Sequence, residues 1–188
     1  MEFRLFYEGK LKGGQSKDKR HVHDLRLTFH QQLQVLWRTE PFSYYAEQVL
    51  TNPTAPKWIS HLDIVGGFAF SSLIHSRAKL VAHLDIVLMR PSPPGSLFGH
   101  GGDIDNRVKT LLDALRLPKL LEIPSDWTQT KQEAPLHCLL EDDQLVTGLR
   151  IVTDRLLVSN RHEQDILAVI HVDLKSSGLL YCNLGPLV

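Results

Sequence analysis

The sequence predicts an α+β fold, a mixed β-sheet packed against two main helices in a single domain over residues 1–188. Three observations predict it. A run from Lys79 to Met89 alternates with period two, setting Leu80, Ala82, Leu84, Ile86 and Leu88 against Val81, His83, Asp85 and Val87, as a central strand requires. Two other stretches, about Asp24 to Arg38 and Ile104 to Leu115, repeat apolar residues at helical spacing. With 188 residues and 43% hydrophobic content, the chain can bury one real core but is short for two ordinary domains.

In chain order, Phe3 to Tyr7 is short and aromatic and reads as an opening strand, followed by the glycine- and lysine-rich loop GKLKGGQSKDKRH. Leu25, Phe29, Leu33, Leu36 and Trp37 then form the apolar stripe of an amphipathic helix, with Trp37 a core residue. Pro41, Pro53 and Pro56 break any long element, and the apolar stretch Ile64 to Ile74 has no clean period. PSPPGSLFGHGG, residues 91–102, is a loop that delivers the chain to Asp103. Ile104, Val108, Leu111, Leu112 and Leu115 make the second stripe, which Pro118 ends. Residues 116–141, with Pro118, Pro124 and Pro135, read as an irregular insertion carrying a short helical turn near Trp127, itself read as core. Two alternating runs, Gln144 to Val158 and Asp165 to Leu174, joined by SNRHEQ, are expected to form an antiparallel hairpin.

Composition narrows the function classes. No apolar run approaches the roughly 18 residues that span a bilayer, and Glu2, Arg4 and Glu8 interrupt the start where a signal peptide would be unbroken, so a cytoplasmic protein without a membrane partner is expected. Cys138 and Cys182 are the only cysteines and have no CxxC spacing, which points away from a zinc ribbon or a disulfide framework. Twenty-one Lys and Arg balance 21 Asp and Glu. That neutrality argues against a protein that coats nucleic acid nonspecifically. The charge is unevenly distributed, however. Lys10, Lys12, Lys17, Lys19, Arg20 and Arg26 outnumber Asp18 and Asp24 in one arm, whereas Glu122 to Asp143 is acidic. The arm is a candidate phosphate-gripping surface, and its plainer reading is a solvated face.

Asp105, Lys109 and Asp113 fall at i, i+4 and i+8 on the second helix, with Asp103 just before its first turn. Asp142 and Asp143 stand before the strand that begins at Gln144. If that strand pairs near the amino end of the helix, three carboxylates converge, and magnesium takes oxygen ligands of this kind while keeping some water. Lys109 beside them would stabilise a phosphate. Singly, each residue also has a structural reading: Asp103 as a helix cap, Asn106 as a first-turn partner, Asp105 with Lys109 as an exposed pair, Asp142 and Asp143 as a turn. His21 and His23 form an HxH pair that in a loop is more often a surface feature than a ligand pair. His100, three residues before Asp103, is the histidine nearest the cluster in sequence.

The joint pattern GGDIDNRVKTLLDALR followed by EDDQLV resembles the RusA family of Holliday-junction resolvases. In that family an Asp-x-Asp-Asn segment opens a helix that carries a lysine and ends in Asp-Ala-Leu, and a later Asp-Asp precedes a strand. The matching residues are Asp103, Asp105, Asn106, Lys109, the Asp113–Ala114–Leu115 triplet, Asp142 and Asp143. The resemblance runs over about residues 79–174 in order of elements. It implies a RusA-like fold and a magnesium-dependent endonuclease, with manganese as a possible substitute, that resolves four-way or related branched DNA as a homodimer. It assigns the metal to Asp103, Asp105 and Asp143, an electrostatic role to Lys109, and supporting places to Asp142, Asn106 and Asp113, the last expected to brace Lys109. Two alternatives stay open: a nucleic-acid-binding protein that does not cut, and a metal-dependent phosphohydrolase acting on a small nucleotide.

Overall fold

A computed structural model describes residues 1–12, 18–50, 60–91, 104–158, 165–178 and 180. The chain is α+β, with three α-helices and two mixed sheets among the described residues. In order, the elements are β1 (Glu2–Lys10), α1 (Lys19–Trp37), α2 (Phe42–Val49), β2 (Leu62–Val65), β3 (Phe68–Ile74), β4 (Leu80–Arg90), α3 (Ile104–Leu115), β5 (Leu136–Leu140), β6 (Val146–Arg155) and β7 (Asp165–Ser176). The larger sheet has the order β1-β7-β4-β6 and the smaller β2-β3-β5.

The alternation in β4 does what its period requires. Leu80, Ala82, Leu84, Ile86 and Leu88 are buried, and they meet the buried faces of β7 (Ile166, Ala168, Ile170, Val172), α1 (Leu25, Phe29, Leu33) and α3 (Val108, Leu111, Leu115) in one hydrophobic cluster. That cluster also takes Leu73 and Ile74 of β3 and Leu139 and Leu140 of β5, so it joins the two sheets. Within it, Trp37 stacks on Tyr45, with ring centroids 5.9 Å apart.

Three expectations are corrected. β6 and β7 do not form a hairpin: β4 lies between them, parallel to β6 and antiparallel to β7. Period two reports which face of a strand is buried but not which strand is its neighbour. The unassigned stretch at 64–74 is a true hairpin, β2–β3, turning on Gly66 (φ 62°) and Gly67 (φ 87°), the pair of positive φ values a two-residue turn of this hand needs. And the 116–141 excursion is not wholly irregular. It makes single helical turns at Leu120–Glu122 and Lys131–Glu133 and then enters the smaller sheet as β5, whose five residues LHCLL are all buried. The short helical turn expected near Trp127 is instead a single hydrogen-bonded turn, in which the Trp127 N–H bonds Pro124 O. Trp127 is half-buried in a second cluster with Phe70 and Ile123, while Trp37 is core.

The smaller sheet is tied to α1 and α2 by buried histidines. His61 accepts from the Tyr45 hydroxyl (3.0 Å) and donates to Ser72 O (2.8 Å), and His137 bonds the Ser71 hydroxyl (2.6 Å) while stacking on His30. Burial, with the neighbouring charge of His75, pushes His61 down to about 3, and burial, with the charges of His30 and Arg38, does the same for His137. Unfolded imidazoles titrate near 6.5. Between those values the unfolded chain binds protons that the folded chain refuses, so stability is present above pH 6.5 and is lost as pH falls toward 3, by up to about 1.4 kcal/mol per pH unit for each histidine. Urea unfolding at a series of pH values is expected to give a midpoint that drops steeply below about pH 6.5.

At the β4–β6 pairing, the His83 ring lies over Gly148, where an added Cβ would sit 2.9 Å from the ring Cγ. Gly148→Ala is expected to destabilise the chain by about 1–2 kcal/mol through this overpacking, with His83→Ala restoring the loss in a thermal melt of the double variant.

Candidate active site

Two elements build the site. α3 presents Asp105, Lys109 and Asp113 along three successive turns of its polar stripe, beside the apolar stripe that buries Val108, Leu111 and Leu115. β6, an edge strand, runs parallel to β4, so Leu149 and Ile151 share a face with Leu84 and Ile86 and turn toward α3. Between them lies an open cavity of about 350 Å³ lined by Ile104, Asp105, Val108, Lys109, Leu112, Asp113, Asp143, Leu149 and Ile151. Asp105 and Asp143, 38 positions apart in the sequence, thus border the same cavity as Lys109.

The geometry assigns each carboxylate a setting. Asp105 is exposed, and its Oδ1 accepts from the Asn106 N–H at 2.8 Å. Asp143 is exposed and opens the single turn Asp143–Leu145 that precedes β6. Asp142 does not line the cavity; it caps that turn, accepting from the Gln144 N–H at 3.0 Å. That hydrogen bond is the main cause holding its carboxyl below the usual range, with the Asp143 side chain and the charges of Arg116 and Lys119 adding to it against a burial cost.

Asp113 does not brace Lys109. Its Oδ1 accepts from Arg116 Nη2 (2.7 Å) and Nε (3.1 Å), and the same guanidinium donates to both oxygens of Glu122 at 3.0 and 2.8 Å. Spacing allowed either partner. The planar guanidinium, nearly buried, meets two carboxylates in a fork that an ammonium cannot reproduce. Burial raises the Glu122 pKa, but the Arg116 hydrogen bond and charge outweigh it and hold the carboxyl low. This cluster fastens the 116–141 excursion to the carboxyl end of α3.

A second arginine holds the same helix end from below. Arg26 of α1 is buried, donating to Asp113 O (2.7 Å) and Arg116 O (3.3 Å). It places a cation on the last carbonyls of α3, where the helix dipole is negative.

The basic arm is partly neutralised. Lys12 pairs with Asp18 (2.7 Å) and Arg20 with Asp126, while Lys10 ends β1 and Lys19 is exposed at the start of α1. The arm does reach the site's neighbourhood, since Thr110 of α3 donates to Lys12 O. His21 and His23 lie in α1, not in a loop: His21 accepts from the Lys12 N–H, and His23 is buried against Trp127, held to about 4 by burial and the charge of Arg26. Asp103, Lys17 and His100 lie outside the described residues.

Sequence reasoning missed the apolar floor of the cavity. Leu149 and Ile151 are 45% and 37% exposed, high for large aliphatic residues on an otherwise core-facing side. Their alternation in β6 was visible, but that α3 leaves them uncovered was not.

Asp105 and Asp143 supply hard oxygen donors of the kind magnesium or manganese takes, and such an ion fills its remaining positions with water. Among the described residues no group of three His, Cys, Asp or Glu is gathered to hold a metal ion. The donor set in view is therefore two carboxylates, to which Asp103 would have to add the third. Also among the described residues, no helix is long and apolar enough to cross a membrane.

Comparison with family models, with curated proteins and with solved structures gave no match.

Proposed function

We propose that the chain is a metal-dependent endonuclease of RusA type that hydrolyses a phosphodiester of four-way or related branched DNA in recombination or repair, acting in the cytoplasm as a homodimer. The observation that carries this reading is the meeting of Asp105, Lys109 and Asp143 at one cavity between α3 and β6. The pattern around these residues, from Asp103 to Leu115 and at Asp142–Asp143, supports the family assignment.

In this mechanism Asp103, Asp105 and Asp143 would hold the ion, which when bound would acidify a water and offset charge at the attacked phosphate. Lys109, exposed on the cavity rim, brings a mobile ammonium to the phosphate oxygens and opposes the charge that builds on them. Asn106 holds Asp105 in place by donating its backbone N–H to Oδ1. Asp142 fixes the turn that carries Asp143. Lys109→Ala is expected to lower the cleavage rate about 100-fold with little change in melting temperature, measured as single-turnover cutting of a labelled junction.

A second reading is favoured by the floor of the cavity. Val108, Leu112, Leu149 and Ile151 make its lining largely apolar, and its volume suits a small molecule. A phosphohydrolase acting on a nucleotide would use the same carboxylates. Release of phosphate or nucleoside from small nucleotides, with junction DNA left intact, would decide for it.

A further inference from the structure

Among the described residues, Arg26, Arg90, Arg107 and Arg116 are the buried arginines. A buried guanidinium needs acceptors to offset the water it has lost. Arg26 has two helix-end carbonyls and Arg116 has two carboxylates. Arg107 has an interaction of its own. Arg90, only 9% exposed, has no side-chain hydrogen bond or ion pair among the described residues.

The alternation of β4 fixes the direction of Arg90. Leu84, Ile86, Leu88 and Arg90 are successive buried positions on the face that meets the helices. The Leu156 N–H, bonded to Arg90 O at 2.6 Å, holds this strand end beside the end of β6. Arg107 enters the same layer from the other side, on the buried face of α3 one turn before Leu111. Burial, and then the charge of Arg90, lowers the Arg107 pKa, so the two cations stand within reach of each other. Arg155 of β6 registers with Arg90 and is exposed on the same face. The strand-end carboxylates turn away from this face: Asp154 alternates with Arg155 in β6, and Asp165 alternates with the buried Ile166 in β7.

A guanidinium withdrawn from water beside a second cation, with no carboxylate of these strand ends on its face, is costly by itself. The arrangement suits an anion with several acceptor oxygens, because planar guanidiniums bind phosphate through paired N–H groups.

We propose that Arg90 and Arg107, with Arg155 at the rim, form a phosphate-binding site at the carboxyl end of β4, and that it holds a phosphate of the substrate strand other than the one attacked. The cavity floor at Leu149 and Ile151 continues along one face of β6 through Thr153 to Arg155. Ile151 and Arg155 are four positions apart, roughly 13 Å along a strand. A phosphodiester chain lying on that face brings a second phosphate to the arginines while Asp105, Lys109 and Asp143 face the first. The use of the site by a substrate strand rests on the function proposed above; the site itself rests on the placement of Arg90 and Arg107.

Inorganic phosphate, titrated against chloride at constant ionic strength, is expected to raise the melting temperature of the full chain. Phosphate strengthens burial in any protein, so the measure is the excess rise of wild type over Arg90→Met. At ten times the dissociation constant that excess is expected to be about 3–6 °C. Without phosphate, Arg90→Met is expected to melt no lower than wild type and up to about 4 °C higher, since it removes an unopposed buried charge. Arg90→Lys keeps the cation without the fork and is expected to keep part of the phosphate effect. On a four-way junction, with calcium in place of magnesium, Arg90→Met is expected to weaken binding about tenfold and to flatten its salt dependence.

A phosphate effect as large in Arg90→Met as in wild type, or a fall in its phosphate-free melting temperature, would overturn the site. A phosphate effect confined to wild type, with equal junction binding by both proteins, would overturn its use by a second substrate phosphate. If neither protein binds the junction, the proposed function fails, and a phosphate effect confined to wild type still establishes the site.

Discussion

Asp105→Asn is expected to lower magnesium-dependent cleavage by about 10³-fold while leaving junction binding nearly unchanged. The substitution keeps the size of the side chain and its acceptor oxygen for the Asn106 N–H, so the start of α3 has no reason to rearrange. What it removes is a full negative charge at the cavity, and with it an anionic oxygen for the ion. The carboxylate is exposed and carries no structural ion pair among the described residues, so melting temperature should hold within a degree or two. Single-turnover cutting and a gel-shift titration on the same preparation separate the two effects. Cleavage at the wild-type rate would remove Asp105 from the mechanism, and a parallel loss of binding would make it a structural residue.

Arg26→Met is expected to cost about 3 kcal/mol of stability, or roughly 6–12 °C in melting temperature for a chain of this size. Methionine fills similar volume but leaves Asp113 O and Arg116 O buried without their donor. The destabilised end of α3 is also the anchor of Arg116, Glu122 and the excursion they fasten, so the variant should lose protection of the 116–123 amides in hydrogen exchange before it loses the larger sheet. A melting temperature unchanged from wild type would mean that those carbonyls find other donors.

Much of this architecture was legible because some physical patterns are local. The stripe of Val108, Leu111 and Leu115 states the phase of α3, and that phase alone puts Asp105 and Lys109 side by side. The alternation of β4 likewise states its buried face. Partner choice is not local, and this is where the reading failed: β6 and β7 alternate as a hairpin would, yet β4 inserts between them. β5 was hidden because five buried residues carry no period, although the apolar run after Pro135 was a signal for a short buried strand. Gly66–Gly67 was the signal for the β2–β3 turn. In the site, the approach of Asp143 to α3 depends on β6 lying parallel beside β4, and the preference of Asp113 for Arg116 depends on where the excursion sets Glu122. Neither follows from spacing along one helix.

The central claim, a divalent-metal phosphodiesterase at the α3–β6 cavity acting on branched DNA, is tested most directly by incubating the wild-type chain with a synthetic four-way junction. Linear duplex and single strands run beside it, with magnesium and with a chelator. The account predicts paired, symmetric cuts in the junction that need magnesium and are much slower on linear duplex. A junction that is shifted in a gel but never cut, with or without magnesium, would contradict it.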